Sequence, residues 1–273
     1  NIPAVARDGL NLRDMYCAPP GHVIVGADYE QIEARLYAII AGDRLLLHAI
    51  ATGLDIHALN AASLLCEPGE DLMGRYAWLK ARPKDELKHF RTVAKRFAFG
   101  LLYGAKWQKV HQVMSADRSK ATGLRTFPDL KEADCQVWEA NWHRLHPETR
   151  AWRARCQKAF AQFGFTGAPM LDFRKRFFPG GVAQENAIPN MTIQSSAASI
   201  ANQALLKLAQ EIPYRGWSYW SGLTLQCHDY LGVIVPESRA EEAIKIVERC
   251  MAYEFNGMKF VAKAEASWSW GSQ

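Results

Sequence analysis

The chain of 273 residues has no apolar run of the roughly 18 residues or more that a membrane-crossing helix needs, and no basic-then-apolar leader. No membrane is therefore expected among its partners. Its six cysteines, Cys17, Cys66, Cys135, Cys156, Cys227 and Cys250, are scattered without a C-x-x-C pair or a clustered Cys/His set. That spacing suggests neither a zinc site nor a disulfide framework, and fits a reducing compartment. Internal repeats and low-complexity tracts are missing, so neither a solenoid nor a disordered linker is indicated. Charge is nearly balanced: 33 Lys and Arg against 28 Asp and Glu leave a net +5, which permits a polyanionic partner without requiring one. An initiator methionine is lacking too, and a start at Asn1-Ile2-Pro3 reads as a processed product, a split-gene subunit or an excised fragment. What remains is ordinary globular composition, 49% hydrophobic and 22% charged, over a length that can bury a substantial core.

His22-Val23-Ile24-Val25-Gly26-Ala27 follows a Pro19-Pro20-Gly21 turn and predicts a short buried strand ending at Asp28. Helical spacing is expected from Gln31 to Ala41, from Asp55 to Leu65, from about Leu87 to Tyr103, and from 131 to 163 with a break near His146-Pro147. Residues 67–88, rich in Gly, Pro and charge, predict an irregular connection. The stretch 166–190 is turn-rich, carries Arg174-Lys175-Arg176, and leads into a helix from about 193 to 211. Residues 223–227 and 231–235 form two arms of a hairpin bent at His228-Asp229. A last helix over 238–253 and a closing strand over 260–266 complete an α+β fold, mainly antiparallel, with a helical insertion between the halves of the sheet.

Asp28 at a strand end and Asp229 at a hairpin bend are two carboxylates that one sheet edge would bring together. That makes an oxygen-rich site suited to two Mg²⁺ ions, with Mn²⁺ as a substitute. Each aspartate alone would equally serve as a turn or helix cap. Arg91, Lys95, Phe99 and Tyr103 recur every four residues, so they share one broad helical face with two cations at one end and two rings at the other. A nucleoside triphosphate has matching polarity: phosphates on Arg91 and Lys95, base on Phe99, and Lys95 as acid for a leaving pyrophosphate. Solvated cations over core aromatics are the bland alternative. Gln31, Glu33 and Arg35 follow Asp28, and Glu33 would crowd a ribose 2′-hydroxyl. Asn190, Gln194, Gln226 and His228 suit minor-groove base edges, and His57 a phosphate.

Taken together, these residues resemble the three motifs of the family A, polymerase I-like DNA polymerases. Asp28-Tyr29-Glu30-Gln31-Ile32-Glu33-Ala34-Arg35 is similar to D-Y-S-Q-I-E-L-R, and Gln226-Cys227-His228-Asp229-Tyr230 to Q-V-H-D-E. The run Arg91 to Gly104 matches R-x-x-x-K-x-x-x-F-x-x-x-Y-G. The resemblance covers nearly the whole chain and implies a right-hand polymerase: a palm of antiparallel sheet flanked by helices, and a mostly helical fingers insertion, with thumb and exonuclease absent. It places the palm in 1–54 and 166–273 and the fingers in 55–165. It implies dNTP addition to a primer 3′-hydroxyl on primer–template DNA, with Asp28, Asp229 and the Tyr29 carbonyl as metal ligands. Arg91, Lys95 and His57 would hold the triphosphate, and Phe99, Tyr103, Glu33 and Gln31 the nucleoside. Arg35, Asn190, Gln194, Gln226 and His228 would line the DNA. Phe99, rather than tyrosine, implies discrimination against dideoxynucleotides. The resemblance also implies a cytoplasmic setting, in a bacterial cell or a virus-infected bacterial host.

Three departures stand out. Tyr230 replaces the usual glutamate, Ala98 an asparagine, and Asn186 an arginine near the template-side contacts. Without a thumb, an upstream polypeptide is expected as a further partner. The alternatives are a polymerase-like nucleic-acid-binding subunit with little turnover, a single-subunit RNA polymerase, which Glu33 argues against, and a plain metal-dependent hydrolase.

Overall fold

A computed structural model of the chain describes residues 11–117, 124, 126–167, 175–177 and 186–272. The Asn1-Ile2-Pro3 start, Arg174 and most of the expected turn-rich segment lie outside the described residues. The chain divides into two compact units. Asn1–Leu36, Ala168–Arg174 and Gln194–Gln273 make the first, and Tyr37–Gly167 with Lys175–Ile193 the second.

The first unit is built on a four-stranded sheet in the order β4 (Gly222–Cys227), β5 (Tyr230–Pro236), β1 (His22–Tyr29), β8 (Ala262–Ser267). Every pairing in it is antiparallel. The expected α+β class therefore holds, with the middle strand supplied from the start of the chain and its neighbours from the end. Four consecutive residues of β1, Ile24 to Ala27, are buried, because both faces of the strand are covered. Ile24 packs with Tyr230 and Trp270 on one face. On the other, α10 (Ala240–Met251) lies across β1 and β8 with Ala243, Ile246, Val247, Cys250 and Met251 buried. Each such aliphatic side chain, fully buried, stabilises the fold by about 1.5–3 kcal/mol. Alternation along the strand puts Gly26 and Asp28 on the Ile24 face.

Between α10 and β8 the chain makes a small hairpin, β6 (Tyr253–Phe255) and β7 (Met258–Phe260). The Asn256-Gly257 bend, with φ of 49° and 77°, is the pair that a tight hairpin turn favours. The single strand expected over 260–266 is thus a hairpin arm followed by β8.

The second unit is mostly helical: α2 (Arg44–Ala51), α3 (Ile56–Leu65), α4 (Leu72–Lys80), α5 (Lys84–Leu102), α6 (Trp107–Ala116), α7 (Glu132–Leu145) and α8 (Pro147–Phe163). In α3, Ile56 and every residue from Ala58 to Leu64 are buried, and α4, α5 and α7 pack around it. The expected break at His146-Pro147 is real: Pro147 opens α8, where its missing N–H costs nothing. The buried His146 Nδ1 stands 2.7 Å from Asp43 Oδ2, tying that junction to the N-cap of α2.

Residues 67–88 differ from expectation. They hold α4 and the start of α5 rather than a loop. Asp71 caps α4 by accepting from the Met73 and Gly74 amides at 3.1 and 2.8 Å. Leu79 alone is buried on it, so the sequence carries almost no periodic apolar signal there. The helix α9 (Ala187–Tyr214) exceeds the expected 193–211 at both ends, and Pro189 sits in its first turn, where proline is tolerated.

Candidate active site

In the first unit, the register of β1 against β5 sets Asp28 opposite Tyr230, the residue next to Asp229. The bend joining β4 to β5 holds His228 and Asp229, with His228 in the left-handed region at φ 57°. Gln31, leading into α1 (Ile32–Ala41), is also left-handed at φ 52°. Side chains other than glycine adopt that region at a cost, and these two of the three such residues described lie close in sequence to the aspartates. Glu33, Gln194, His228 and Asp229 line one cleft of about 410 Å³ together with Ile32, Ala197 and Ala198.

Electrostatics report the same convergence. Enclosure and the neighbouring charge of Asp229 raise the Asp28 pKa, and Arg13 partly offsets them. Enclosure and Asp229 likewise raise that of Glu33, against a lowering by His228. Arg13 was not singled out from the sequence. It lies on the short 3₁₀ segment Leu12–Met15 with its guanidinium over the Trp270 ring, 4.4 Å from the centroid. No local pattern marks it, because its segment meets the segment of Trp270 only on folding.

Tyr230, in the place of the expected motif glutamate, points into the core. It is 6% exposed, and its ring centroid is 5.5 Å from that of Trp270. Gly26 and Gly232 face each other across the pair and leave the space in which the ring lies. Burial first, then Asp28, push its hydroxyl pKa well up, so it stays neutral. Tyr29 is also buried on its strand.

Other nominated residues of this unit are bonded to protein groups. Arg35 donates from Nε to the Glu30 carbonyl at 3.0 Å and from Nη1 to the Lys259 carbonyl at 3.1 Å, which fastens the β6–β7 hairpin to α1. Gln226 donates to Asn202 Oδ1 at 3.2 Å and remains exposed.

In the second unit, α5 buries Val93, Ala94, Phe97, Ala98, Leu101 and Leu102. The opposite face presents Lys95 exposed and Arg91, Phe99 and Tyr103 half-buried. The aromatics at 99 and 103 are therefore not core residues, whereas Phe97 is. Phe99 and Tyr103 are near parallel, 21° apart with centroids 6.4 Å apart. His57, at the start of α3, lies near the cations of that end. Burial first, then Lys95 and Arg91, hold its pKa below the usual value, and its buried Nδ1 has no hydrogen-bond partner among the described residues.

Asp55 was noted in the sequence only for its position, and the structure gives it two tasks. It caps α3 through the His57 and Ala58 amides, both at 3.1 Å, and its Oδ2 stands 3.0 Å from Arg91 Nε and 3.7 Å from Lys80 Nζ. At the other end of α5, Asn190 donates to the Tyr103 carbonyl at 3.3 Å. Arg153 of α8 donates to the Leu102 carbonyl at 3.3 Å and to Asn186 Oδ1 at 2.6 Å. Orphan carbonyls of the helix terminus are satisfied this way. Gly104, at φ 79°, has no room for a side chain beneath Arg153. Asn186, one of the three departures, is thus the partner of an arginine from another helix.

Among the described residues no helix is long and apolar enough to cross a membrane. The family profile described as DNA polymerase family A matches residues 1–273. The chain is 31% identical over 261 residues to the thermostable DNA polymerase I of Thermus filiformis, covering 92% of this chain and 27% of that protein. It is 28% identical over 282 residues to the chloroplastic and mitochondrial DNA polymerase I A of Arabidopsis thaliana, covering 96% and 25%. It thus spans about a quarter of the length of these curated relatives. Among solved structures, the POL domain of Pol1 from M. smegmatis, in complex with DNA primer–template and dNTP, aligns with all of this chain and 44% of its own. The TM-score is 0.76 at 23% identity, which establishes a shared fold. With the profile matched from the first residue to the last, the chain belongs to DNA polymerase family A.

Proposed function

We propose that the chain carries the nucleotidyl-transfer centre of a template-directed DNA polymerase, the first unit acting as palm and the second as fingers. The observation that carries this is the strand register that sets Asp28 opposite Tyr230, the neighbour of Asp229, with the Asp229 charge felt at Asp28. The neighbouring charge of Asp229 raises the Asp28 pKa, as expected where a cation is to be held, and an all-oxygen set with the Tyr29 carbonyl suits Mg²⁺. Among the described residues no group of three His, Cys, Asp or Glu could hold a metal. A Mg²⁺ site that substrate phosphates help complete does not need one. Bound there, a pair of Mg²⁺ ions would favour the alkoxide of the primer 3′-hydroxyl and neutralise charge on the pyrophosphate.

The remaining roles fall to the chain's own groups. Arg91, Lys95 and the unpartnered His57 Nδ1 take the triphosphate of a dNTP, and Lys95 donates a proton to the departing pyrophosphate. Phe99 and Tyr103 stack on the base side. Glu33, in the cleft lining, occupies the space of a ribose 2′-hydroxyl, and Gln31 takes part in holding the nucleoside. Gln194, Gln226 and His228 meet the primer–template, while Arg35 and Asn190 are bonded to the Lys259 and Tyr103 carbonyls.

The buried Tyr230 favours a second reading. With a buried tyrosine where the motif has a glutamate, the chain would bind nucleic acid and turn over only when joined by an upstream, thumb-bearing polypeptide. Primer extension with Mg²⁺ and dNTPs, by the chain and by its Asp229→Ala variant, tests the proposal. Extension that the variant loses by a hundredfold or more, on the order seen for key electrostatic groups, supports it. Extension that survives in the variant, or that uses rNTPs equally well, refutes it.

A further inference from the structure

At the C-terminal end of α8 the chain leaves the helix through Gly164, left-handed at φ 72°, and enters a two-stranded ribbon of β2 (Phe165–Gly167) and β3 (Lys175–Phe177). Thr166 anchors the ribbon by donating to the Ile188 carbonyl at 3.2 Å, and the register sets Phe165 opposite Phe177. Three rings collect here. Phe165 lies 6.1 Å from Phe163 and 5.6 Å from Phe177, centroid to centroid. The outer two are open to solvent, Phe163 at 58% and Phe177 at 65%. The Lys175 ammonium stands 4.5 Å above the Phe165 ring.

Among the described residues of the ribbon and of α8, cations are in excess. The described ribbon carries Lys175 and Arg176 and no carboxylate. The helix α8 exposes Arg150, Arg155 and Lys158, and its one acid, Glu148, lies in its first turn bonded to Arg44 at 2.6 Å. Exposed π-faces beside an excess of cations match an anionic backbone with unpaired bases. They do not match an apolar protein surface, which would leave the cations buried and unpaired.

We infer that the β2–β3 ribbon and the end of α8 form a platform for single-stranded nucleic acid, with bases stacking on Phe163 and Phe177 and phosphates on Lys175 and the α8 cations. This deepens the proposed reaction, since it gives the unpaired strand a place on the second unit, but it needs neither aspartate. Fluorescence anisotropy of a labelled oligothymidylate, on the order of 12 nucleotides, with the full chain in EDTA at low salt measures it. Phe163→Ala combined with Phe177→Ala is expected to weaken binding about tenfold or more. Phe177→Tyr, which keeps the ring, should bind as the unaltered chain does, and Lys175→Gln should reduce the slope of log K against log salt by about 0.7. Circular dichroism checks that the variants fold, which the exposure of both rings leads one to expect. Binding indifferent to both rings, or none by the folded chain, overturns the platform. Ring-dependent binding without any primer extension would sink the proposed reaction and leave the platform standing.

Discussion

Placing a methyl group at Gly26 examines how Tyr230 came to occupy the position beside the aspartate pair. A Cβ there would stand 2.5 Å from Tyr230 Cζ and 2.9 Å from Cε2, and would overlap the hydroxyl. Carbon atoms in contact sit near 3.5–4.0 Å, so the ring must lift by about 1 Å. Trp270 lies over it, 34° from parallel, and the side chain is already buried, so there is little room to lift. Overpacking of this kind costs about 1–3 kcal/mol. Tyr230→Ala by itself removes a buried aromatic and leaves a void above Gly26 and Gly232, costing about 3 kcal/mol or more. In the double variant the methyl meets no ring and fills part of that void. The two effects should therefore be sub-additive by about 1–3 kcal/mol. Urea unfolding of the four proteins, compared at a common m-value, reads the cycle directly. A Gly26→Ala variant within about 0.5 kcal/mol of the unaltered chain, or two strictly additive losses, would refute the packing argument.

Asp55→Asn keeps an N-cap for α3 but removes the charge that faces Arg91. The KM for dNTP in primer extension should shift several-fold with little change in unfolding midpoint, whereas Asp55→Ala should also lose about 1 kcal/mol of stability. His143 has its pKa lowered to about 4 by burial first and then by Arg150, His146 and Arg153. Because the folded value lies below the unfolded 6.5, the unfolded state takes up the proton first. Stability is then complete above pH 6.5 and declines as pH falls toward 4, by up to about 3 kcal/mol. Denaturant melts across that range should show a shallower decline in His143→Phe than in the unaltered chain.

Long periodic elements could be read from residue order because their signal is local. The strand before Asp28, the helix through Arg91 and Tyr103, and the hairpin around His228-Asp229 all lie close to their expected places. The helix α4 could not be read, since one buried leucine in nine residues leaves no apolar stripe. The β6–β7 hairpin was hidden for the opposite reason, its arms being only three residues each, too short for alternation to register. Asn256-Gly257 was the one available cue to it. Among site residues, the face shared by Arg91, Lys95, Phe99 and Tyr103 follows from helical geometry alone. The hold of Asp55 on Arg91, of Arg153 on the end of α5, and of Arg13 on Asp28 does not, because each joins elements that only folding makes neighbours.

Residue order by itself determined the family motifs, the two kinds of periodicity and the class of fold, since all three are written in spacings of a few residues. Tertiary structure alone decided that the Asp229 charge acts on Asp28, and that Tyr230 is a core residue rather than a group facing the site. The physical reason is that strand register and the glycine gap beneath the Tyr230 ring are properties of paired strands. Neither is a property of any one segment.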